Sequence, residues 1–384
     1  MIATSIWQRS RIKVDPSEWY KSGQSDAQIS QANIQVDASN NHRLQTTQYS
    51  GQSAFSQLHI HSQIRGQWRI KSHCFTLGIP KFAFAMQFGK LPSIEGLGLV
   101  NFELPASSFL LKAGQKERCA VRLGGTTWNI PQWVGSTYPA KTPRRLFPQA
   151  YGAQFGTIEF NATHYRIYAP DKMAAWAAST PEDFRFCPKF PQIITHFRRF
   201  KNCEGPTDDF IEGLLALGNR LGPSFIQLPP HYAPKHAEAM WTYLEKWPQE
   251  LPVSVEFRHP DWFTGDGTHW ERLAQLGVGA VISDTAGRRD ALHMQVTAPH
   301  VLVRFGGYEG HEIDAARLAG WAHWIKEHEP KGLSSFHLLV HEPDSLHTPK
   351  TCQYFHAKLS PELQRACNVP GKSGSENAAS LALF

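Results

Sequence analysis

The chain reads as an α/β protein of the (β/α)8 TIM-barrel type behind a poorly ordered N-terminal extension. Eight short apolar runs lie between Val121 and about Leu359, with charged or amide residues at their ends and helix-length stretches between them. Short β-branched and aromatic runs that alternate with helical patterns describe repeated βα units and a parallel sheet. Eight such units in roughly 240 residues match the size of this barrel. A doubly wound open sheet is the runner-up, but LGGTTW lacks the glycine spacing of a dinucleotide fingerprint.

In order, the runs are VRLGG from Val121, TIEFN from Thr157, FRFCPK from Phe184 and SFIQL from Ser224, then VSVEFR from Val253, GAVISD from Gly279, VLVRF from Val301 and SFHLLV from Ser335. Between them Phe210, Leu214, Leu217 and Leu221 recur at helical spacing behind Thr207, a candidate cap. Met240, Leu244 and Trp247 repeat that spacing, as do Leu318, Trp321 and Ile325. The connection from Thr285 to Pro299 is short and polar, so an irregular helix is expected there.

Composition narrows the class. Lys and Arg number 39 against 33 Asp and Glu, a formal charge of +6 that permits a phosphate-bearing partner without demanding one. Six cysteines show no CxxC pair, which argues against a disulfide framework or a structural zinc and points to a reducing cytoplasm. Cys187, inside a strand run, reads as a small core hydrophobe. No apolar stretch is long enough to span a bilayer, and Met1–Tyr20 lacks a secretory apolar centre. Residues 1–117 form a low-complexity extension, rich in Gln, Ser, Asn and Thr from Gly23 to Gln57, and read as disordered, or as lying upstream of a true start such as Met86. His59 and His61 have strand-like ligand spacing but no third ligand nearby. The barrel is expected over 118–360 and a flexible tail over 361–384.

Alternation within strands places Glu159 with Asn161, and Glu256 with Arg258, on shared faces at the C-terminal strand ends, where barrel active sites are built. The same edge should gather Lys189, Gln227, Asp284 and Arg304, while loops beyond it supply Trp128, Tyr165, His196, His259 and Trp262. Buried charges cost several kcal/mol unless paired, so a barrel built only for stability would fill this layer with Val, Ile and Leu. A retained polar cluster suggests a ligand, with Glu159, Glu256 and Asp284 as catalytic candidates and the remainder as substrate-binding ones.

TIEFNATHYR, TPEDFRFCPKFPQIITH from Thr180 to His196, FIQLPP, VEFRHPDWF and VLVRFGG resemble, in order, the signature blocks of the YecE-like family, a domain-of-unknown-function group. The resemblance covers about residues 121–359. It implies a (β/α)8-type barrel with a polar pocket at its C-terminal mouth, and it adds Tyr138 and Thr195 to the pocket residues above. Two positions depart from the family pattern: Gly306 and Gly307 replace a histidine-containing stretch after Arg304, and His341 and Glu342 stand where amides are usual.

Three functions compete. Metal-free acid–base chemistry of hydrolase or lyase type, on a sugar-like or phosphorylated small molecule, would use Glu159 and Glu256 as acid and base. Arg258, Arg304 and Lys189 would hold an anion, and Trp128, Tyr165 and Trp262 would face a ring. A metal-dependent phosphodiesterase would recruit His196, His259 and His341, but Lys189, Arg258 and Arg304 match the three carboxylates one for one and neutralise a metal cage. No cofactor is therefore expected, and a divalent metal belongs only to that alternative. A non-catalytic protein that binds phosphate or nucleic acid would use the same cations and rings.

Overall fold

The computed structural model describes residues 60–64, 67–71, 89, 91, 94–111, 118–365 and 367–371. The chain divides into two units, Met1–Ala83 and Phe84–Phe384. In the first, β1 (Ile60–Ile64) and β2 (Gln67–Lys71) form an antiparallel hairpin with Ile60 opposite Lys71. His61 lies in β1, whereas His59 and the alternative start at Met86 fall outside the described residues.

The second unit is an α/β structure with parallel strands. Its strands are β3 (Ser108–Phe109), β4 (Ala120–Gly124), β5 (Thr157–Phe160), β6 (Arg185–Pro188), β7 (Ser224–Gln227), β8 (Val253–Glu256), β9 (Gly279–Ala280), β10 (Ile282–Asp284), β11 (Gln295–Val296), β12 (His300–Gly306) and β13 (Ser335–His341). Parallel pairing joins β5 to β6, β7 to β8, β8 to β9, β10 to β12, β12 to β13 and β13 to β4. Leu123 and Gly125 carbonyls accept from Gly156 and Glu159, linking β4 to β5. Single bridges, Phe186 with Leu221 and Lys189 with Phe225, link β6 to the β7 run. Gly124 is required at the β4 end because a Cβ there would overlap the Thr157 carbonyl.

Helices follow most strands: α1 (Phe147–Gly152), α2 (Ala162–Tyr165), α3 (Pro170–Ala178), α4 (Glu204–Leu215), α5 (Glu238–Glu245), α6 (Thr268–Gln275), α7 (Glu312–His328), α8 (Thr348–Lys358) and α9 (Pro361–Arg365). One face of each strand packs on them. Val121, Ile158, Phe160, Phe186, Val303 and Phe336 belong to one buried cluster with Trp321 and Ile325 of α7, and Ile226 and Val255 to another with Met240 and Leu244 of α5. Each such side chain contributes about 1.5–3 kcal/mol on burial. The opposite faces of β6, β7, β12 and β13 bring Cys187, Phe225, Leu302 and Leu339 together with Val281 in a small apolar plug. Burial pushes the Cys187 thiol up to about 12, consistent with its reading as a core residue.

Three local expectations change and one is met. Thr207 lies inside α4, whose N-cap is Cys203, and its hydroxyl meets Tyr243 Oη at 3.2 Å. The 285–299 connection holds the irregular helix expected there, a 3-10 turn, Arg289–Ala291, followed by the short β11. Residues 94–111, expected within the disordered extension, are built into the second unit: β3 pairs with β11, and Trp324 Nε1 donates to Ser107 Oγ at 2.6 Å. Residues expected to begin a flexible tail form α9 and bury Leu363, Cys367 and Val369 in the main cluster. Among the described residues, no helix is long and apolar enough to cross a membrane.

Candidate functional site

The strand faces that carry the plug continue, one pleat further on, into a polar layer. Glu159 of β5, Glu256 of β8 and Arg304 of β12 converge there although 145 and 48 residues separate the arginine from its partners. Arg304 donates Nε to Glu159 Oε2 at 2.9 Å and Nη2 to Oε1 at 3.1 Å, a two-pronged pair. Its Nη1 donates to both Glu256 oxygens at 2.8 and 2.9 Å. Asn161 Nδ2 donates to Glu159 at 3.0 Å, and Gln227 Nε2 and Ser283 Oγ donate to Glu256 at 2.7 and 3.1 Å. His341 Nε2 lies 2.7 Å from Glu159 Oε2; an ionised carboxylate only accepts, so the imidazole donates.

Burial drives the carboxyls of Glu159 and Glu256 upward, yet the Arg304 guanidinium outweighs it, helped by His341 at Glu159 and Arg258 at Glu256. Both therefore titrate below the usual range. The two carboxylates in turn hold the Arg304 charge in place. Lys189 is placed differently. Its Nζ donates to the Gln227 amide oxygen at 2.9 Å, and among the described residues no carboxylate reaches it at ion-pair distance. Burial and then Arg304 lower it to about 8, against the opposing pull of Glu159 and Glu256. Arg258, buried at the end of the β8 run, is lowered to about 10, chiefly by desolvation.

A short turn holds this edge in place. Thr163 Oγ1 of α2 shares its proton between the Phe160 and Lys189 carbonyls at 2.8 and 2.7 Å, and His164 Nδ1 meets the Phe190 carbonyl at 2.7 Å. His164 stacks edge-on against His196, ring centres 5.1 Å apart, in a π-helical turn, Ile193–Phe197. Burial and the nearby cations lower His164 to about 4 and His196 to about 3, so both are neutral at physiological pH. The layer reaches solvent at one side, where the Arg304 and His341 side chains are 14% and 30% exposed.

A family described as "Protein of unknown function DUF72" matches residues 122–375. The chain belongs to the DUF72 family. UPF0759 protein YecE of Escherichia coli strain K12 is 28% identical over 275 residues, covering 65% of this chain and 96% of YecE. UPF0759 protein YunF of Bacillus subtilis strain 168 is 30% identical over 151 residues, or 38% of this chain and 52% of YunF. The crystal structure of a DUF72 family protein from Enterococcus faecalis V583 superposes with a TM-score of 0.51 at 15% identity, over 62% of this chain and 95% of that one. That likeness speaks to fold alone.

Within this DUF72 chain, Glu159, Asn161, Lys189, Gln227, Glu256 and Arg304 meet as alternation predicts, Arg258 acts electrostatically on Lys189, and the neutral His196 lies close enough for both cations to lower it. Asp284 does not join them. Its neighbour Ser283 faces Glu256, so the pleat turns Asp284 to the helix side, where Arg289, Arg317 and Trp321 hold it at 2.6, 2.9 and 2.9 Å. Trp262 is a core side chain, stacked on Phe257 and donating to the Tyr232 carbonyl. Trp128 packs among Tyr151, Phe160, Trp176 and Phe186, rings of the helix-facing side. His259 accepts from Asp261 N as the cap of a 3-10 turn, and Tyr165 is 73% exposed on α2. Ser283 was missed, though counting alternate residues from Val281 would have found it. His341 stood out as a departure from the family pattern and as a candidate metal ligand, not as a partner of Glu159.

The donor set does not suit a metal cage. Arg304, Asn161, His341, Gln227 and Ser283 already occupy the oxygens of Glu159 and Glu256, so a cation would have to displace a guanidinium. Among the described residues, no three His, Cys, Asp or Glu side chains come together in a metal-holding group.

Proposed function

We propose that the eight strand runs close into a (β/α)8 barrel whose mouth takes a small anionic molecule, sugar-like or phosphorylated, for metal-free acid–base chemistry of hydrolase or lyase type. Closure is supported by the strand neighbours: each run has a hydrogen-bonded neighbour on both sides. One observation carries the ligand reading. Arg304 engages both buried carboxylates, so the ammonium of Lys189 rests against an amide, beside Arg258. An ammonium held by an uncharged partner in a desolvated layer favours an incoming anion.

The roles shift accordingly. A general acid needs a pKa near the working pH. Glu159 and Glu256 titrate too low for that and serve as a fixed negative wall that orients Arg304, whereas Lys189, near 8, can give or take a proton. A thermal-shift panel of phosphorylated sugars and sugar acids tests this reading. A positive shift in the wild type that is lost in Arg258→Met and reduced in Lys189→Met supports it; a panel without shifts, or equal shifts in Arg258→Met, overturns it.

A second reading rests on surface rings. Tyr165 and Phe197, 73% and 67% exposed, flank the His164–His196 pair beside Arg166 and Arg198, an arrangement that would stack bases of a single strand. Retention on single-stranded DNA that falls with salt and weakens in Tyr165→Ala with Phe197→Ala would favour it.

A further inference from the structure

We propose that Lys189 is a covalent nucleophile whose Nζ condenses with the carbonyl of a small anionic aldehyde or ketone to give a Schiff base. This rests on the reading that the strand ends accept an anion, and it adds the substrate class and the bond formed. A lysine kept for stability at a strand end would take one of the carboxylates. Here Arg304 takes both, and the lysine is offered an uncharged acceptor. Its backbone is fixed on either side, by Thr163 at the Lys189 carbonyl and by Phe190 N donating to the Phe225 carbonyl at 2.9 Å. The amine therefore stands on a rigid strand end with little freedom to lose on reaction.

Charge balance favours the same step. The charged and titratable groups that face Nζ are Glu159 from β5, Glu256 and Arg258 from the β8 run, Arg304 from β12, and the neutral His164 and His196. Burial and the Arg304 guanidinium disfavour an ammonium at Nζ more than Glu159 and Glu256 favour it, so the layer accepts a free amine more readily than a surface site would. The amine lone pair attacks the carbonyl carbon, the C=O electrons pass to oxygen, and a proton moves from nitrogen to that oxygen to give a carbinolamine. After a second proton reaches the oxygen, the nitrogen lone pair expels it as water, leaving an iminium. Overall, one amine, one carbonyl and one proton become one iminium and one water. The iminium restores the positive charge while the anionic group of the substrate offsets it, beside Arg258. Both protons exchange with solvent at the side where Arg304 and His341 are exposed. A lysine lowered from 10.5 to about 8 holds a free-amine fraction near neutrality on the order of 300-fold above that of an ordinary lysine.

The test uses the full chain with glyoxylate, and separately pyruvate, reduced by sodium borohydride and mapped by peptide mass. The expected result is a reduced secondary amine concentrated on the Lys189 peptide. Its yield should rise through about pH 8, and it should be absent in Lys189→Arg. The wild-type map stands even if that variant fails to fold. Adducts spread over surface lysines without preference for Lys189 overturn the proposal. A melting shift by glyoxylate or pyruvate that needs Arg258, without an adduct, overturns the covalent step and leaves the anion site standing. A result with neither shift nor adduct overturns the covalent proposal, and the panel of phosphorylated sugars and sugar acids then decides the anion site.

Discussion

Replacing Arg304 by Met keeps much of the side-chain volume and removes the charge that two buried carboxylates share. Four hydrogen bonds to Glu159 and Glu256 disappear, and both acids are almost wholly inaccessible. Removing one partner of a buried pair costs about 3–5 kcal/mol. Asn161, His341, Gln227 and Ser283 still donate to the stranded acids, so the two losses do not double, and about 4–5 kcal/mol is expected. The sign with pH follows from the same groups. In the wild type both carboxyls titrate below 4.5, so their contribution is complete above that value and is lost only as pH falls below it. In Arg304→Met, burial is no longer outweighed, both carboxyls rise, and protonation relieves the variant as the solution is acidified. Urea unfolding should therefore show a gap of about 4–5 kcal/mol near pH 7 that narrows towards pH 5. A gap below about 1 kcal/mol, or one that widens on acidification, would refute the reasoning.

Asp284→Ala strands the buried Arg317, leaving it Asp314, and should cost about 3 kcal/mol in urea unfolding. Any ligand-induced melting shift should survive in that variant, because Asp284 faces away from the polar layer; loss of the shift without loss of stability would contradict this. Trp262→Phe should cost about 1 kcal/mol through its lost bond to the Tyr232 carbonyl, and it too should leave any ligand shift in place. A chain that starts at Arg118 loses the β3–β11 pairing and the Ser107–Trp324 bond. It should melt several degrees below one that starts at Phe84, and equal melting would show that the segment adds nothing.

Strand positions were legible because two signals agree: β-rich runs, and polar residues at their ends. TIEFN and VSVEFR became β5 and β8, and alternation alone brought Glu159, Glu256 and Arg304 to one layer. Asp284 misled because it ends a run, as Glu256 does, yet sits on the opposite face; the interior position of Val281 in the same run fixes that phase. Aromatic rings misled for another reason. Trp128 and Trp262 lie just beyond strands, where a ligand-facing ring and a packing ring look alike in sequence, and only the surrounding rings decide. The stretch 94–111 lacks periodicity because it packs on α7 through single residues such as Leu104 and Ser107. No linear pattern could show that Arg304 would claim both carboxylates and leave Lys189 to an amide, since that depends on reach across five strand runs.

The most direct measurement is the titration of Lys189 by NMR of the side-chain amine, assigned against Lys189→Arg. A midpoint near 8, moving upward in Arg304→Met as the carboxylates are released, is the expected result. A midpoint at the ordinary lysine value, unmoved by that substitution, would mean that a carboxylate already neutralises the amine, and the case for an anion-accepting, reactive lysine would fail.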